Sequence, residues 1–69
     1  MDEMLKTIEK MIEEEMKDHE SYLQLAQHAY EIGLEEYSPI LEDIAEEERI
    51  HSCHLADIFE ELKTHKNHA

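Results

Sequence analysis

The chain has 69 residues, with 19 Asp and Glu against 6 Lys and Arg, for a formal net charge of −13. So short a chain is one domain at most, and its single core is marginal without a staple, a metal or a partner. The acidic balance argues against nucleic-acid binding, which needs the opposite sign, and no apolar run approaches the length of a membrane span. Cys53 is the only cysteine, which excludes an internal disulfide. A single thiol and no signal-peptide pattern point to a reducing, cytoplasmic setting.

In chain order, the first expected element is a helix over about residues 2–32. At 100° per residue, Met4, Leu5, Ile8, Met11, Ile12, Tyr22, Leu23, Ala26, Ala29 and Tyr30 share one face. Lys6, Lys10, Glu13, Lys17, Gln24, His28 and Glu31 fall opposite. A turn over residues 33–38 follows. Gly33 suits the left-handed position just past a helix end, and Ser38-Pro39 suits an N-cap and first helical residue. The second helix is expected over about residues 38–64, with Ile40, Leu41, Ile44, Leu55, Ile58, Phe59 and Leu62 on one face. Residues 65–69 are expected to fray. One Gly and one Pro in the chain leave little room for anything but long helices. The fold class is therefore all-α: an antiparallel two-helix hairpin. Two helices cannot cover both apolar faces, so the hairpin is expected to dimerise into a four-helix bundle.

Ionisable residues interrupt both apolar stripes. Glu15 stands where the first stripe calls for an apolar side chain, and His19 follows one turn later. Glu48 and His51 straddle the centre of the second stripe. An unpaired buried carboxylate is costly, so these positions need compensation. Counted from the turn, Glu15 and the Glu48–His51 pair lie at similar depth. A two-fold dimer would gather four carboxylates and two imidazoles, whose negative charge two divalent cations balance. One Glu from each of two helices plus Glu-x-x-His from each of the other two is the ligand set of carboxylate-bridged di-iron bundles. Oxygen and imidazole donors favour iron or manganese, with zinc compatible. With 6 His and so many acids, roughly one Glu-x-x-His arises by chance, so the weight lies on its place in the stripe. A metal-free hydrogen-bond network of the same residues is the competing reading.

Other residues carry weaker signals. His19 reads as an extra or supporting metal ligand, or as a core-edge histidine bonded to a carboxylate. Glu47, His51 and His54 offer an alternative zinc site. Glu14 and Asp18 flank the stripe and suit a cation-guiding or merely solvated role. His65 and His68 suit loose metal binding, or simply a disordered tail. Met4, Met11 and Met16 read as packing residues, and Cys53 projects away from the apolar face.

The pattern Glu15-x6-Tyr22-x10-Gly33-x14-Glu48-x2-His51 resembles one half of the rubrerythrin bundle of the ferritin-like superfamily. The segments Tyr22–Ala26 and Ile44–His51 carry the same resemblance. The resemblance implies Glu15 as a terminal ligand, Glu48 as a bridging ligand, His51 as the nitrogen ligand and Tyr22 beside the metals. It implies two iron ions per dimer and a ferroxidase activity serving iron storage or detoxification. A peroxide reductase with an external electron donor and a non-catalytic metal-binding dimerisation module are the alternatives. Full-length rubrerythrins join both halves in one chain and usually add a cysteine-rich domain; this chain carries one half. It is similar in that to encapsulated ferritins, which build the site between subunits. That similarity implies a homodimer at minimum, a larger homo-oligomer, and an encapsulating protein shell, although Lys63–Ala69 does not resemble a loading tail.

Overall fold

The computed structural model describes residues 1–68, with side chains through residue 65. Two long helices, α1 (Asp2–Glu31) and α2 (Ser38–His68), run antiparallel, joined by a short 3-10 helix over Glu35–Tyr37. No strand occurs among the described residues. α2 continues to His68, past the end expected near Thr64. The metal-binding expectation for His68 falls on a side chain outside the described residues.

The connection follows from the chemistry of the α1 C-terminus. Gly33 has φ +86°, the left-handed conformation that L side chains avoid. With Gly33 there, its N–H reaches the Tyr30 carbonyl at 3.3 Å and the Leu34 N–H reaches the Ala29 carbonyl at 2.8 Å. This pair of bonds is a Schellman motif, and it satisfies carbonyls that the helix end would otherwise strand. A Cβ at Gly33 would meet nothing within 4 Å, so the demand is conformational and not steric. Gly33→Ala is therefore expected to destabilise the protein by about 1–2 kcal/mol. The check is a lower melting temperature by circular dichroism with unchanged helix content; an unchanged melt would mean the turn relaxes at no cost.

Ser38 does not cap α2 with its side chain, contrary to the expectation. The 3-10 turn, opened by the Tyr37 N–H bonding the Leu34 carbonyl at 3.1 Å, leads directly into the helix, and Ser38 already has helical φ and ψ. Its Oγ instead donates across the hairpin to the Ala26 carbonyl at 3.0 Å. Pro39 then sits in the first turn of α2, where its missing N–H has no partner to lose.

The seam between the helices is narrower than the apolar stripes. In α1 the covered positions are Leu5, Ile8, Ile12, Glu15, His19, Tyr22, Ala26 and Ala29, alternating three and four residues apart. In α2 Ser38, Leu41, Ala45, Glu48, Ser52, Leu55, Phe59 and Leu62 keep the same spacing, and Ile44 and Ala56 beside them are also partly covered. This is the 3.5-residue period that keeps two helices in contact along their length. Small side chains at Ala26, Ala29, Ser38 and Ala45 let the backbones approach closely near the turn. Met4, Met11, Leu23, Tyr30, Ile40 and Ile58, which belong to the expected stripes, stay exposed.

The hairpin hides little. Its buried apolar residues among those described are Ile8, Ala26, Ala29 and Ala45, and no large side chain is fully buried. The accessible surface is 5333 Å². A compact 8.2 kDa chain would expose only about 4,500 Å². The Cα extents of 56 × 15 × 9 Å describe a slab one helix thick, which has no interior of its own.

Candidate metal centre

Glu15 and Glu48 occupy seam positions, and His51 stands one turn after Glu48 on its flank. One ligand atom from each of Glu15, Glu48 and His51 lies within 4.8 Å of the other two. His51 Nδ1 is 3.7 Å from Glu15 Oε2. The Glu15 side chain is 24 % exposed and that of His51 56 %, so the cluster runs from the seam to the surface. Glu15 Oε2 is sealed from solvent and has no hydrogen-bond partner. A buried carboxylate oxygen with nothing to accept from is costly, and a cation removes that cost.

The electrostatics agree. The Glu48 carboxyl is held above the usual carboxylate range. The neighbouring Glu15 carboxylate is the main cause, followed by partial burial, while His51 pulls the other way. Two carboxylates this close repel when both are ionised, and a cation between them removes that repulsion. Two carboxylates and an imidazole, with no thiolate, are a donor set for iron, manganese or zinc. The residues therefore fit a metal ion, and each would lend at least one ligand atom.

Among the described residues no other three or more His, Cys, Asp and Glu side chains gather in this way. The alternative zinc site of Glu47, His51 and His54 is thus not assembled: Glu47 and His54 are exposed and point off the seam. Tyr22 is half-buried in the seam, two turns beyond Glu15, and is not one of the three clustered residues. His19 is half-buried one turn from Glu15, but its Nδ1 lies 2.7 Å from the Ala45 carbonyl of α2. Glu46 and Arg49 pair on the surface, with Arg49 Nη2 2.6 Å from Glu46 Oε1. This fork is the main reason the Glu46 carboxyl sits below the usual range. Cys53 is exposed, 3.6 Å from Arg49 Nη1.

The family model for rubrerythrin matches residues 6–69. The chain belongs to the rubrerythrin family. No curated protein and no solved structure matches it. In this rubrerythrin hairpin the matched span contains all three clustered residues and both helices almost entire.

The cluster also borders an uncovered flank of the rubrerythrin hairpin. Met4, Met11 and Leu25 of α1 repeat at multiples of seven residues, with Asp18 in the gap. Ile44, His51 and Ile58 do so in α2. Each set immediately precedes a seam position, and in an antiparallel pair such sets lie on the same side of the seam. The other side carries Leu23, Tyr30 and Glu42, which line a common shallow groove there with Ser38. His51 thus opens onto a face whose other members are mostly apolar and about half exposed. No helix among the described residues is long and apolar enough to cross a membrane, so this face is not explained by a span.

Proposed function

We propose that two copies of this hairpin pair through the His51 flank into a four-helix bundle, and that the bundle oxidises ferrous iron at its centre. The observation that carries this reading is the orphaned Glu15 Oε2, gathered with Glu48 and His51 at the edge of an apolar face.

The pairing follows from area and from charge. The surface in excess of a compact monomer is roughly 800 Å², about what one partner buries in an interface of standard size. One copy supplies two carboxylates and one imidazole, which is too few donors to enclose a pair of ions. Two copies supply four and two, the complement of a carboxylate-bridged di-iron centre. Iron, when bound there, supplies one-electron redox chemistry. The chain supplies the rest. Glu15 and Glu48 bring negative charge that attracts Fe2+. The imidazole of His51 offers a neutral nitrogen. The apolar flank, once covered, keeps bulk water from the ions.

Ferrous iron is then the substrate, and oxygen or peroxide the electron acceptor. Membership of the rubrerythrin family favours a second reading, in which peroxide is the substrate and an external donor returns the electrons. A metal-stapled dimer without turnover is the non-enzymatic counterpart.

The test uses the wild-type chain. Light scattering is expected to give at least twice the 8.2 kDa chain mass. Anaerobic titration with Fe2+ should saturate at one iron per chain. Admitting air should then produce a rapid rise in ferric absorbance, and peroxide in place of air separates the two enzymatic readings. A fully helical monomer at micromolar concentration would remove the shared site. Tight binding with no turnover on either oxidant would leave the metal-stapled dimer.

A further inference from the structure

We propose that His19 is a positioning residue for the metal centre: its hydrogen bond to the Ala45 carbonyl sets the helix register that brings Glu15 to Glu48 and His51. This inference rests on the metal-binding reading above and adds a residue that acts on the site through the backbone of the facing helix.

The bond links positions 26 residues apart, at 2.7 Å. A carbonyl oxygen can only accept, so Nδ1 carries the proton of this bond. Glu15 precedes His19 by one turn, and Glu48 follows Ala45 by one turn. The staple therefore sits directly beside the cluster on both helices. Among the described residues one other side chain donates to the backbone of the opposite helix. That is Ser38, bonded to Ala26 near the turn, where chain connectivity already constrains the helices. His19 and Ala45 lie two turns further along.

Apart from the polar Glu15, Glu48 and Ser52 on the side away from the turn, the seam around this bond is built from Leu, Ile, Ala and Tyr side chains that repeat every 3.5 residues. Such packing discriminates poorly between registers one turn apart. A polar residue at a core position supplies that discrimination, at some cost in stability. The magnitude decides its relevance here. A slip of one turn moves Glu15 by about 5.4 Å relative to α2. The whole cluster spans 4.8 Å, so such a slip would disband it. Ala45 is fully buried, and its carbonyl gains a short second donor that a slipped α1 could not present.

The test separates the two nitrogens of the ring. Asparagine places an amide nitrogen near the position of Nδ1, glutamine near that of Nε2, and leucine keeps the volume with neither. The probe is Co2+, followed by calorimetry and by its visible absorption spectrum, with helix content from circular dichroism. His19→Leu is expected to remain helical, to bind Co2+ on the order of 10–100-fold more weakly, and to alter the spectrum. His19→Asn is expected to restore affinity and spectrum towards wild type, and His19→Gln is not. If His19→Leu fails to fold, the Asn and Gln variants still decide. Wild-type affinity and spectrum in His19→Leu would overturn the inference while leaving the metal centre standing. Rescue by Gln and not by Asn would overturn it in favour of direct ligation through Nε2. Wild-type protein that binds no Co2+ would overturn the metal reading and this inference together.

Discussion

Glu15→Ala, Glu48→Ala and His51→Ala are each expected to slow aerobic ferrous oxidation by at least about 100-fold. Loss of a group that merely supports a ligand already costs 10–100-fold in metal affinity or activity, and these are the ligands themselves. In a two-fold site each substitution removes two donors at once. The effect should come with loss of bound iron, since no other residues among those described are gathered to replace them. Glu14→Ala is the internal control. Glu14 is exposed and adjacent in sequence, yet outside the cluster, so its removal should slow iron uptake only modestly. The measurement is ferric absorbance after mixing Fe2+ with air-saturated buffer, with iron content and helix content determined on the same samples. Folded Glu48→Ala and His51→Ala proteins that oxidise iron at the wild-type rate would end the di-iron reading.

Which parts of this arrangement were readable from residues alone follows from the kind of signal each part leaves. The two helices and their junction were legible because Gly33 and Pro39 are backbone constraints written directly into the chain. The gathering of Glu15 with Glu48 and His51 was legible because each breaks an apolar stripe at matching distance from that junction. The division of each stripe into a covered seam and an open flank was not. Neighbours such as Met4 and Leu5 differ by only 100° on a helix, and which one meets α2 depends on the crossing of the two axes. Ser38 was misread for a related reason. A serine hydroxyl before a proline suits an N-cap, but here the buried Ala26 carbonyl lies within its reach, and only the tertiary register creates that choice. The partner of His19 is likewise a backbone oxygen on the other helix, and a backbone acceptor carries no sequence signature.

Glu48→Gln is expected to reverse its rank against wild type when metal is added. Without metal, the folded protein holds the Glu48 proton more tightly than the unfolded chain does, because Glu15 lies against it. An acid whose value is raised on folding contributes stability below its unfolded value of about 4.3, and loses it as pH rises through the folded value. Above the folded value that contribution is gone and two carboxylates oppose each other. Glutamine copies the protonated form: it is neutral, and its amide can donate to the Glu15 carboxylate. Metal-free Glu48→Gln should therefore melt higher than wild type at pH 7, with the gap closing as pH falls towards 4. Adding Mn2+ or Zn2+ changes the order. A ligand present at 100 times its dissociation constant stabilises the form that binds it by about 2.7 kcal/mol. For a chain of this size that is on the order of 10 °C in melting temperature. Wild type should gain this shift and Glu48→Gln little of it, because the amide nitrogen cannot serve as the second anionic oxygen donor. Thermal melts at pH 4, 5.5 and 7, with and without metal, read both effects. An equal metal-induced shift in the two proteins would place the ions elsewhere. A metal-free wild type that melts above Glu48→Gln at pH 7 would show that the two carboxylates do not strain the fold.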